Sequence, residues 1–273
     1  MGKAISMWDA DGGEAARCYA DLPFGHYKEE IYPLYGEILD VLGDAIRVLD
    51  VGPGPGHFAY EFYKRRPGSR TRFALLETGQ AMLDIARQRI ESLGFVAEYF
   101  QRDFNKPGWD EGLGKYDAVV SNNAIFNAQP ELLGDLYGRL FGLLNPNGLL
   151  LNQQSCAHEH PDFAKALKGF PPALSPLRLM APQDAEKAAR LRGEHIRLND
   201  LAVSKARDGA AALRAKGEQA SVSGEVGYAS LHLPASAHER LLAEAGFASG
   251  CIWRKMEFVV LVGIKGHPWS GQS

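Results

Sequence analysis

The sequence predicts an α/β protein built on a mostly parallel sheet. Short runs that we interpret as strands stand at 46–51, 72–77, 95–101, 116–121 and 148–154, and the first of them is almost wholly apolar, as buried parallel strands are. The stretches between them place apolar residues at helical spacing, most clearly in QAMLDIARQRIESLG, which ends at Gly94. Strands and helices that alternate at this spacing are typical of βαβ units, and these indicate a parallel sheet.

The elements outside this alternation can be assigned in order. The run PLYGEILDVLG predicts a helix before the first strand, with Pro33 in its first turn and Gly43 at its end. Thr78 is expected to cap the helix after the second strand. The alternation breaks after the fifth strand, where 182–216 predicts a long charged helix. It resumes with a helix at 238–247 and the run CIWRKMEFVVLVGIKG, which predicts a closing antiparallel strand pair.

Composition excludes several classes of function. Thirty basic and thirty-three acidic residues give a net charge of −3, which disfavours nucleic acid as a partner. No apolar run approaches the roughly 20 residues of a membrane span, and the N-terminus has no signal-peptide core. Three scattered cysteines, Cys18, Cys156 and Cys251, are typical of reduced thiols. We therefore expect a cytoplasmic protein that binds no membrane.

The central motif is LDVGPGPGHF at 49–58. Gly52, Gly54 and Gly56 allow the backbone to approach a ligand closely at the amino end of a helix. A dinucleotide-binding loop requires GxGxxG, with Gly or Ala at its last position, and here that position is His57, so a nicotinamide cofactor is disfavoured. We interpret His57 as a helix-start residue with access to solvent.

The GxGxG spacing with Asp50 just before it resembles the S-adenosylmethionine (SAM) binding loop of class I methyltransferases. Further landmarks follow in the same order: Glu77 ends the second strand, Asp103 and Phe104 follow the third, LLNPNG precedes the fifth, and AGF precedes the final strand pair. The resemblance implies a Rossmann-like, seven-stranded, mostly parallel sheet with an antiparallel C-terminal strand pair and a helical cap. It also implies SAM as cofactor and S-adenosylhomocysteine (SAH) as product.

The same resemblance implies roles for individual residues. Glu77 is expected to accept hydrogen bonds from the ribose hydroxyls, and Asp103 and Phe104 are expected to contact adenine. Asp50 either contacts the cofactor or holds the loop, and Met82 suits core packing as well as adenine contact. The cofactor-binding candidates are Asp50, Gly52, Gly54, Gly56, Glu77, Thr78, Met82, Asp103, Phe104 and Asn122.

The resemblance covers roughly 46–155 and 232–265, which divides the chain. We expect an N-terminal helical lid (1–45), a SAM-binding core (46–155), a helical cap insertion (156–231), a helix and strand pair that complete the core (232–265), and a tail (266–273). Ligands of open parallel sheets bind at the carboxyl ends of the strands. The lid and the cap are therefore expected to fold over the cofactor.

The segment SNNAIFN after the fourth strand narrows the subclass. It lacks the Asn/Asp-Pro-Pro-aromatic pattern of enzymes that methylate nucleic-acid amines. It also has amides where metal-dependent catechol methyltransferases have a metal-binding aspartate. These absences favour metal-independent transfer to a small molecule, with no catalytic residue assigned. The substrate-side candidates are Tyr19, His26, Tyr27, Asn123, Asn127, His158 and His160.

Other questions stay open at this point. The basic stretch 178–216 suits a solvated helix face, or a cap that presents arginine to an anionic acceptor. The candidates for that role are Arg192, Arg197, Arg207 and Arg214. The C-terminal part also resembles carboxy-SAM synthases, and a non-catalytic SAM-binding protein is a further alternative. The acceptor, the methylated atom and the oligomeric state, including a homodimer, are not decided by sequence.

Overall fold

The computed structural model describes residues 3–22, 27–159, 162, 185–223, 233–255 and 258–266. His26 and His160, two of the substrate-side candidates, lie outside these residues, and the side chains of Tyr27 and Arg192 are not described. Within the described part of the chain, no helix has the length and apolar character needed to cross a membrane.

The described strands and helices alternate through most of the chain. The strands are β1 (Lys3–Ser6), β2 (Arg47–Val51), β3 (Arg72–Glu77), β4 (Glu98–Gln101), β5 (Tyr116–Asn122), β6 (Leu144–Ser155), β7 (Ala220–Ser223), β8 (Phe247–Lys255) and β9 (Phe258–Lys265). The α-helices are α1 (Glu14–Ala20), α2 (Tyr32–Leu42), α3 (His57–Arg65), α4 (Gln80–Glu91), α5 (Leu133–Leu143), α6 (Ala185–Ala215) and α7 (Ala235–Glu244). As predicted, α2 has Pro33 in its first turn and ends before Gly43.

Seven strands form the main sheet in the order β4-β3-β2-β5-β6-β9-β8. The five strands from β2 to β6 are parallel, β9 is antiparallel to β6, and β8 is antiparallel to β9. The chain builds outward from β2 in one direction through β3 and β4, and then in the other through β5 and β6. The predicted fold class is confirmed, and the point where the strand order reverses lies between β2 and β5.

Each face of this sheet carries its own apolar core. On one face, α2 and α3 contribute Tyr35, Phe58 and Phe62 to a cluster that includes Leu75 and Val120. On the other face, α5 and α7 pack over the sheet with buried side chains such as those of Tyr137, Leu140 and Leu242. The arrangement is a three-layer α/β/α sandwich whose strand ends are open to ligand.

A second, two-stranded sheet joins the N-terminal segment to the insertion. β1 pairs in parallel with β7, so that Ile5 lies beside Val222. Next to it, Ala15 of α1 packs against Leu198 and Ala202 of α6. These two short strands are not predicted by the sequence pattern. They bring the regions expected to be lid and cap into one packed unit.

The start of α4 corrects one expectation. Thr78 does not cap this helix, because its hydroxyl donates to Glu77 Oε1 at 3.0 Å. The free backbone N–H groups at the helix start donate to Asp9 instead, with Gln80 N at 3.0 Å from Oδ2 and Ala81 N at 2.8 Å from Oδ1. A carboxylate from the N-terminal segment therefore satisfies the helix terminus.

Candidate cofactor and acceptor site

A cleft opens at the carboxyl ends of the strands, next to the point where the strand order reverses. Ligands of open α/β sheets bind at this position. The described residues that line the cleft are Trp8, Tyr19, Tyr32, Asp50, Gly52, Pro53, Gly54, Pro55, His57, Phe58, Glu77, Thr78, Met82, Asp103, Phe104, Asn105, Asn122, Asn123, Ala124 and Asn127. The cleft thus brings together every cofactor candidate except Gly56, along with three of the substrate-side candidates, Tyr19, Asn123 and Asn127.

The three loop glycines share a left-handed backbone, with φ of 69°, 55° and 72°, but they face different surroundings. A Cβ on Gly52 would lie 2.3 Å from Cβ of Ala124, and one on Gly56 would lie 2.8 Å from Cβ of Ala86. Both glycines are therefore required for packing within the protein. A Cβ on Gly54 would have as its nearest neighbour Tyr19 Cε1 at 3.7 Å. Gly54 is thus the glycine that leaves backbone accessible from the cleft.

Glu77 connects this loop to the end of β3. Its Oε2 accepts from the backbone N–H of Gly54 at 3.1 Å, and its Oε1 accepts from the backbone N–H of Thr78 at 2.7 Å. Burial raises the pKa of Glu77, and these hydrogen bonds act in the opposite direction because they favour the ionised form. Met82, on the first turns of α4, is buried beside it and contributes an apolar wall.

Asp50 is a buried acid of the site that has no hydrogen-bond partner among the described residues. It is 1% exposed, and neither carboxylate oxygen has a hydrogen-bond partner among the described residues. Burial, together with the nearby charge of Glu77, raises the pKa of Asp50 to about 8. A buried carboxylate without a partner is costly, so its position at the cleft indicates a ligand that carries positive charge or hydrogen-bond donors.

The charge of the cleft discriminates between cofactors. Three acids line it, Asp50, Glu77 and Asp103, whereas no described lining residue is lysine or arginine. A pyrophosphate would find no basic side chain in the described lining, whereas phosphate sites use basic side chains or a helix terminus without nearby acids. SAM carries a sulfonium and an amino group, and its ribose and adenine offer hydrogen-bond donors. The residues present therefore fit SAM.

His57 corrects a second expectation. It does begin α3, but it is only 9% exposed and lines the cleft rather than facing solvent. The reason is Arg89 of α4, whose Nη1 lies 3.1 Å from His57 Nδ1 and donates to the carbonyl of Pro55 at 3.1 Å. Its Nη2 donates to the carbonyl of Ala20 at 2.8 Å. Arg89 thus joins α4, the glycine loop and the end of α1.

Two aromatic side chains of the N-terminal segment, which line the cleft, contact the insertion. The rings of Trp8 and Tyr19 lie 5.5 Å apart, and His195 of α6 stacks on Trp8 with ring centroids 6.3 Å apart and planes 10° apart. The Tyr19 and His195 rings are 5.2 Å apart. The N-terminal segment and the insertion therefore meet at Trp8 and Tyr19, which line the cleft.

The loop after β5 forms the opposite wall. Asn123 has a left-handed backbone with φ of 54°, and its N–H donates to the carbonyl of Gln153 at 2.8 Å. Asn105, after β4, donates from Nδ2 to the carbonyl of Asn127 at 3.1 Å and accepts from the N–H of Gln129 at 2.8 Å. Hydrogen bonds to backbone groups thus fix Asn105, Asn123 and Asn127 at this wall.

The remaining substrate-side candidates lie elsewhere. His158 is half-buried and is not among the described residues that line the cleft. The carboxylate of the next residue, Glu159, accepts from Ser236 at the start of α7. Arg197 is exposed and pairs with Glu194. Arg207 and Arg214, like Arg197, are not among the described residues that line the cleft.

Sequence reasoning did not assign Trp8, Arg89 or Asn105 to the site. Only the tryptophan had a local signal, as a large aromatic side chain ahead of the first helix. The other two act across the fold and have no sequence signature. Among the described residues, no group of three or more histidine, cysteine or acidic side chains could hold a metal ion.

Comparison with known proteins agrees with this geometry. A family model described as a methyltransferase domain matches residues 42–190, more than half of the chain. The chain belongs to this methyltransferase domain family. SAM is its cofactor. A curated relative, the non-reducing polyketide synthase AusA of Aspergillus calidoustus, is 28% identical over 140 residues, which are 48% of this chain and 6% of that protein. This chain thus corresponds to a small part of that relative.

Two solved structures share the fold. An O-methyltransferase family 2 protein from Planctomyces limnophilus, in complex with apigenin, has a TM-score of 0.53 at 15% identity. The match covers 93% of this chain and 62% of that one. PigF with SAH has a TM-score of 0.52 at 14% identity over 88% of this chain and 56% of its own.

Proposed function

We propose that this methyltransferase domain transfers the methyl group of SAM to a small-molecule acceptor without a metal ion. The observation that carries the proposal is the cleft itself. It combines an accessible Gly54 backbone, a Glu77 carboxylate bonded to that backbone, and an unpartnered Asp50, with no described lysine or arginine in its lining. This arrangement suits a cationic methyl donor.

The residues of this chain divide the binding task. In this scheme Glu77 accepts from the ribose hydroxyls, and the hydrogen bond from the N–H of Gly54 supports this role because it fixes the carboxylate at the cleft. Asp50 supplies acceptor oxygens for the positively charged end of SAM. Met82 and Phe104 supply apolar surface for adenine. Asp103, the residue before Phe104, accepts from the amino group of adenine. Bound SAM supplies an electrophilic methyl group on a positively charged sulfur.

What the protein adds to the transfer is position and exclusion of water. Trp8 and Tyr19 cover the mouth of the cleft, and Tyr32 extends the same wall. The loop with Asn123 and Asn127 is proposed to face the acceptor. No metal ligands are required in this scheme, since the attacking atom is aligned by contacts rather than by coordination.

We also propose the division of the chain into a lid (1–45), a core (46–155, completed by 232–265) and a cap (156–231). The pairing of β1 with β7 and the packing of α1 on α6 support a lid and cap that act together. The tail, 266–273, has no role in this scheme. A small-molecule acceptor is in keeping with the apigenin complex of the Planctomyces protein.

A carboxy-SAM synthase function has less support. Such an enzyme requires a cation to hold the new carboxylate, and no described lysine or arginine lines the cleft. For the same reason, the structure gives no support to the proposal that an arginine in the described part of the cap binds an anionic acceptor.

The experiment is a screen of metabolite fractions with SAM, in which SAH release is measured with and without a chelator. Turnover that survives exhaustive chelation is the expected result. Turnover that requires added Mg²⁺ would contradict the metal-independent proposal. Formation of carboxy-SAM from SAM, detected by mass spectrometry, would favour the alternative.

A further inference from the structure

Two amide side chains stand next to each other where β5 and β6 end. Asn122 and Gln153 are partners in the parallel pairing of these strands. In the alternation of each strand they share a face with Val120 and Leu151, which belong to the core beneath α2 and α3. Asn122 lines the cleft, and Gln153 lies directly beside it with its residue fully buried.

Neither of these two side chains has a hydrogen-bond partner among the described residues. Oδ1 and Nδ2 of Asn122 and Oε1 and Nε2 of Gln153 are all buried, and none has a hydrogen-bond partner among the described residues. On the opposite face of β6, Oδ1 of Asn152 and Oε1 of Gln154 are also without partners among the described residues, but the amide nitrogens do have partners. Nδ2 of Asn152 lies 3.4 Å from Tyr137 Oη, and Nε2 of Gln154 lies 3.7 Å from Cys156 Sγ.

An apolar pair at this position would avoid a desolvation penalty, since each buried amide without a partner costs free energy. The neighbouring residues of β5 and β6 on this face, Val120 and Leu151, are in fact apolar. The change from apolar to amide occurs at the point where the strands reach the cleft. Two donors and two acceptors are thereby concentrated beside the cleft, where β5 and β6 end.

We infer that Asn122, which the resemblance assigned to the cofactor, and Gln153 instead bind the methyl acceptor through an uncharged group that both donates and accepts hydrogen bonds, such as an amide, a phenol or an enol. This inference rests on the proposed function and names the class of its acceptor. An uncharged donor–acceptor group satisfies both halves of each amide. An ammonium would leave the amide NH₂ groups without acceptors, and a carboxylate would find no described lysine or arginine in the cleft.

The test uses three probes that share a ring and differ in their polar end: benzamide, benzylamine and benzoate. Each is titrated against the full chain saturated with SAH, with binding followed by ligand-observed NMR. Benzamide is expected to bind at least about tenfold more tightly than the two charged probes. Gln153→Met should weaken benzamide binding by about fivefold, the loss typical of one neutral hydrogen bond.

Gln154→Met is the matched control, because it is the same substitution one residue along β6 and on the other face. It should leave benzamide binding unchanged. A preference for benzylamine or benzoate, the absence of benzamide binding, or equal benzamide affinity in the Gln153→Met protein would each overturn the inference.

Thermal unfolding separates recognition from structure. Gln153→Met should unfold at the same or a higher temperature than the parent, because it removes polar groups that have no partners. Gln154→Met should unfold at a lower temperature. A large destabilisation by Gln153→Met alone would assign the amide a structural role and contradict the inference. SAH titration of the same samples distinguishes the two proposals: a parent protein that binds SAH but shows no benzamide preference refutes only this inference, whereas one that binds no SAH refutes both.

Discussion

The backbone N–H of Gly54 donates a 3.1 Å hydrogen bond to Oε2 of Glu77, and this contact joins the loop after β2 to the end of β3. The same carboxylate accepts from the N–H and the hydroxyl of Thr78 through its other oxygen. One side chain therefore shapes the loop and presents acceptor oxygens to the cleft. Cofactor affinity should respond to any change at this position.

Glu77→Ala should weaken SAH binding roughly tenfold to a hundredfold, because charge-assisted hydrogen bonds contribute about 1.5–3 kcal/mol. Glu77→Gln keeps one acceptor oxygen and should lose less. Isothermal titration calorimetry measures both effects, with Glu131→Ala as an exposed control. Equal SAH affinity in a folded Glu77→Ala protein would remove this residue from the site.

Asp50 should make the stability of the ligand-free protein depend on pH. Its folded pKa, about 8, lies above the value in an unfolded chain, about 3.9. Between these values the folded state binds more protons than the unfolded state, so the free energy of unfolding falls as pH rises. The contribution is at most about 1.4 kcal/mol per pH unit. Asp50→Asn should remove this slope.

Urea unfolding at pH 6, 7 and 8, before and after the substitution, isolates this contribution from other titrating groups. The difference in unfolding free energy should grow in favour of Asp50→Asn as pH rises. A difference that stays constant over this range would show that Asp50 titrates below pH 6.

Asp9→Ala should cost about 1 kcal/mol of stability, because it removes the cap of α4. Asp11→Ala is the matched control, since Asp11 caps α1 through the N–H groups of Glu14 and Ala15. Both variants should unfold more readily. Only Asp9→Ala should also weaken SAH binding, because it releases Trp8 and the start of α4 at the cleft. Equal SAH affinities for the two variants would show that the capping of α4 by Asp9 does not affect cofactor binding.

Much of the fold could be predicted because the buried strands are locally apolar and the glycine loop follows the first of them. The landmarks at Asp50, Glu77 and Asp103 each follow a strand, so their convergence at one edge could be anticipated. β1 and β7 could not be predicted, since KAIS and ASVS carry no distinctive period and pair over a long separation. Side-chain contacts between residues far apart in the sequence could not be predicted either.

Arg89 illustrates the limit for the site. On sequence it is one basic residue of an amphipathic helix, yet in the fold it donates to the carbonyls of Pro55 and Ala20. His57 is buried beside that arginine, and its burial could not be inferred from its place at a helix start. The amide pair at Asn122 and Gln153 had a visible signal, the polar residues that end an apolar strand.

Lid and cap should respond together to cofactor. The ring of His195 stacks on that of Trp8, so ligand beneath Trp8 and Tyr19 should stabilise both segments. Hydrogen exchange with and without SAH is expected to slow in Met7–Ala20 and in the part of α6 around His195, as lids become less mobile when closed. Protection confined to the glycine loop and the ends of β3 and β4 would contradict a lid.

The most direct measurement is a calorimetric titration of the protein with SAM and with NAD⁺, repeated for Gly54→Val. The account predicts one SAM bound per chain, no detectable NAD⁺ binding, and loss of SAM binding in Gly54→Val, since a branched side chain at φ of 55° is strained and occupies the open side of the loop. Binding of NAD⁺ in place of SAM, or unchanged SAM affinity in a folded Gly54→Val protein, would contradict it.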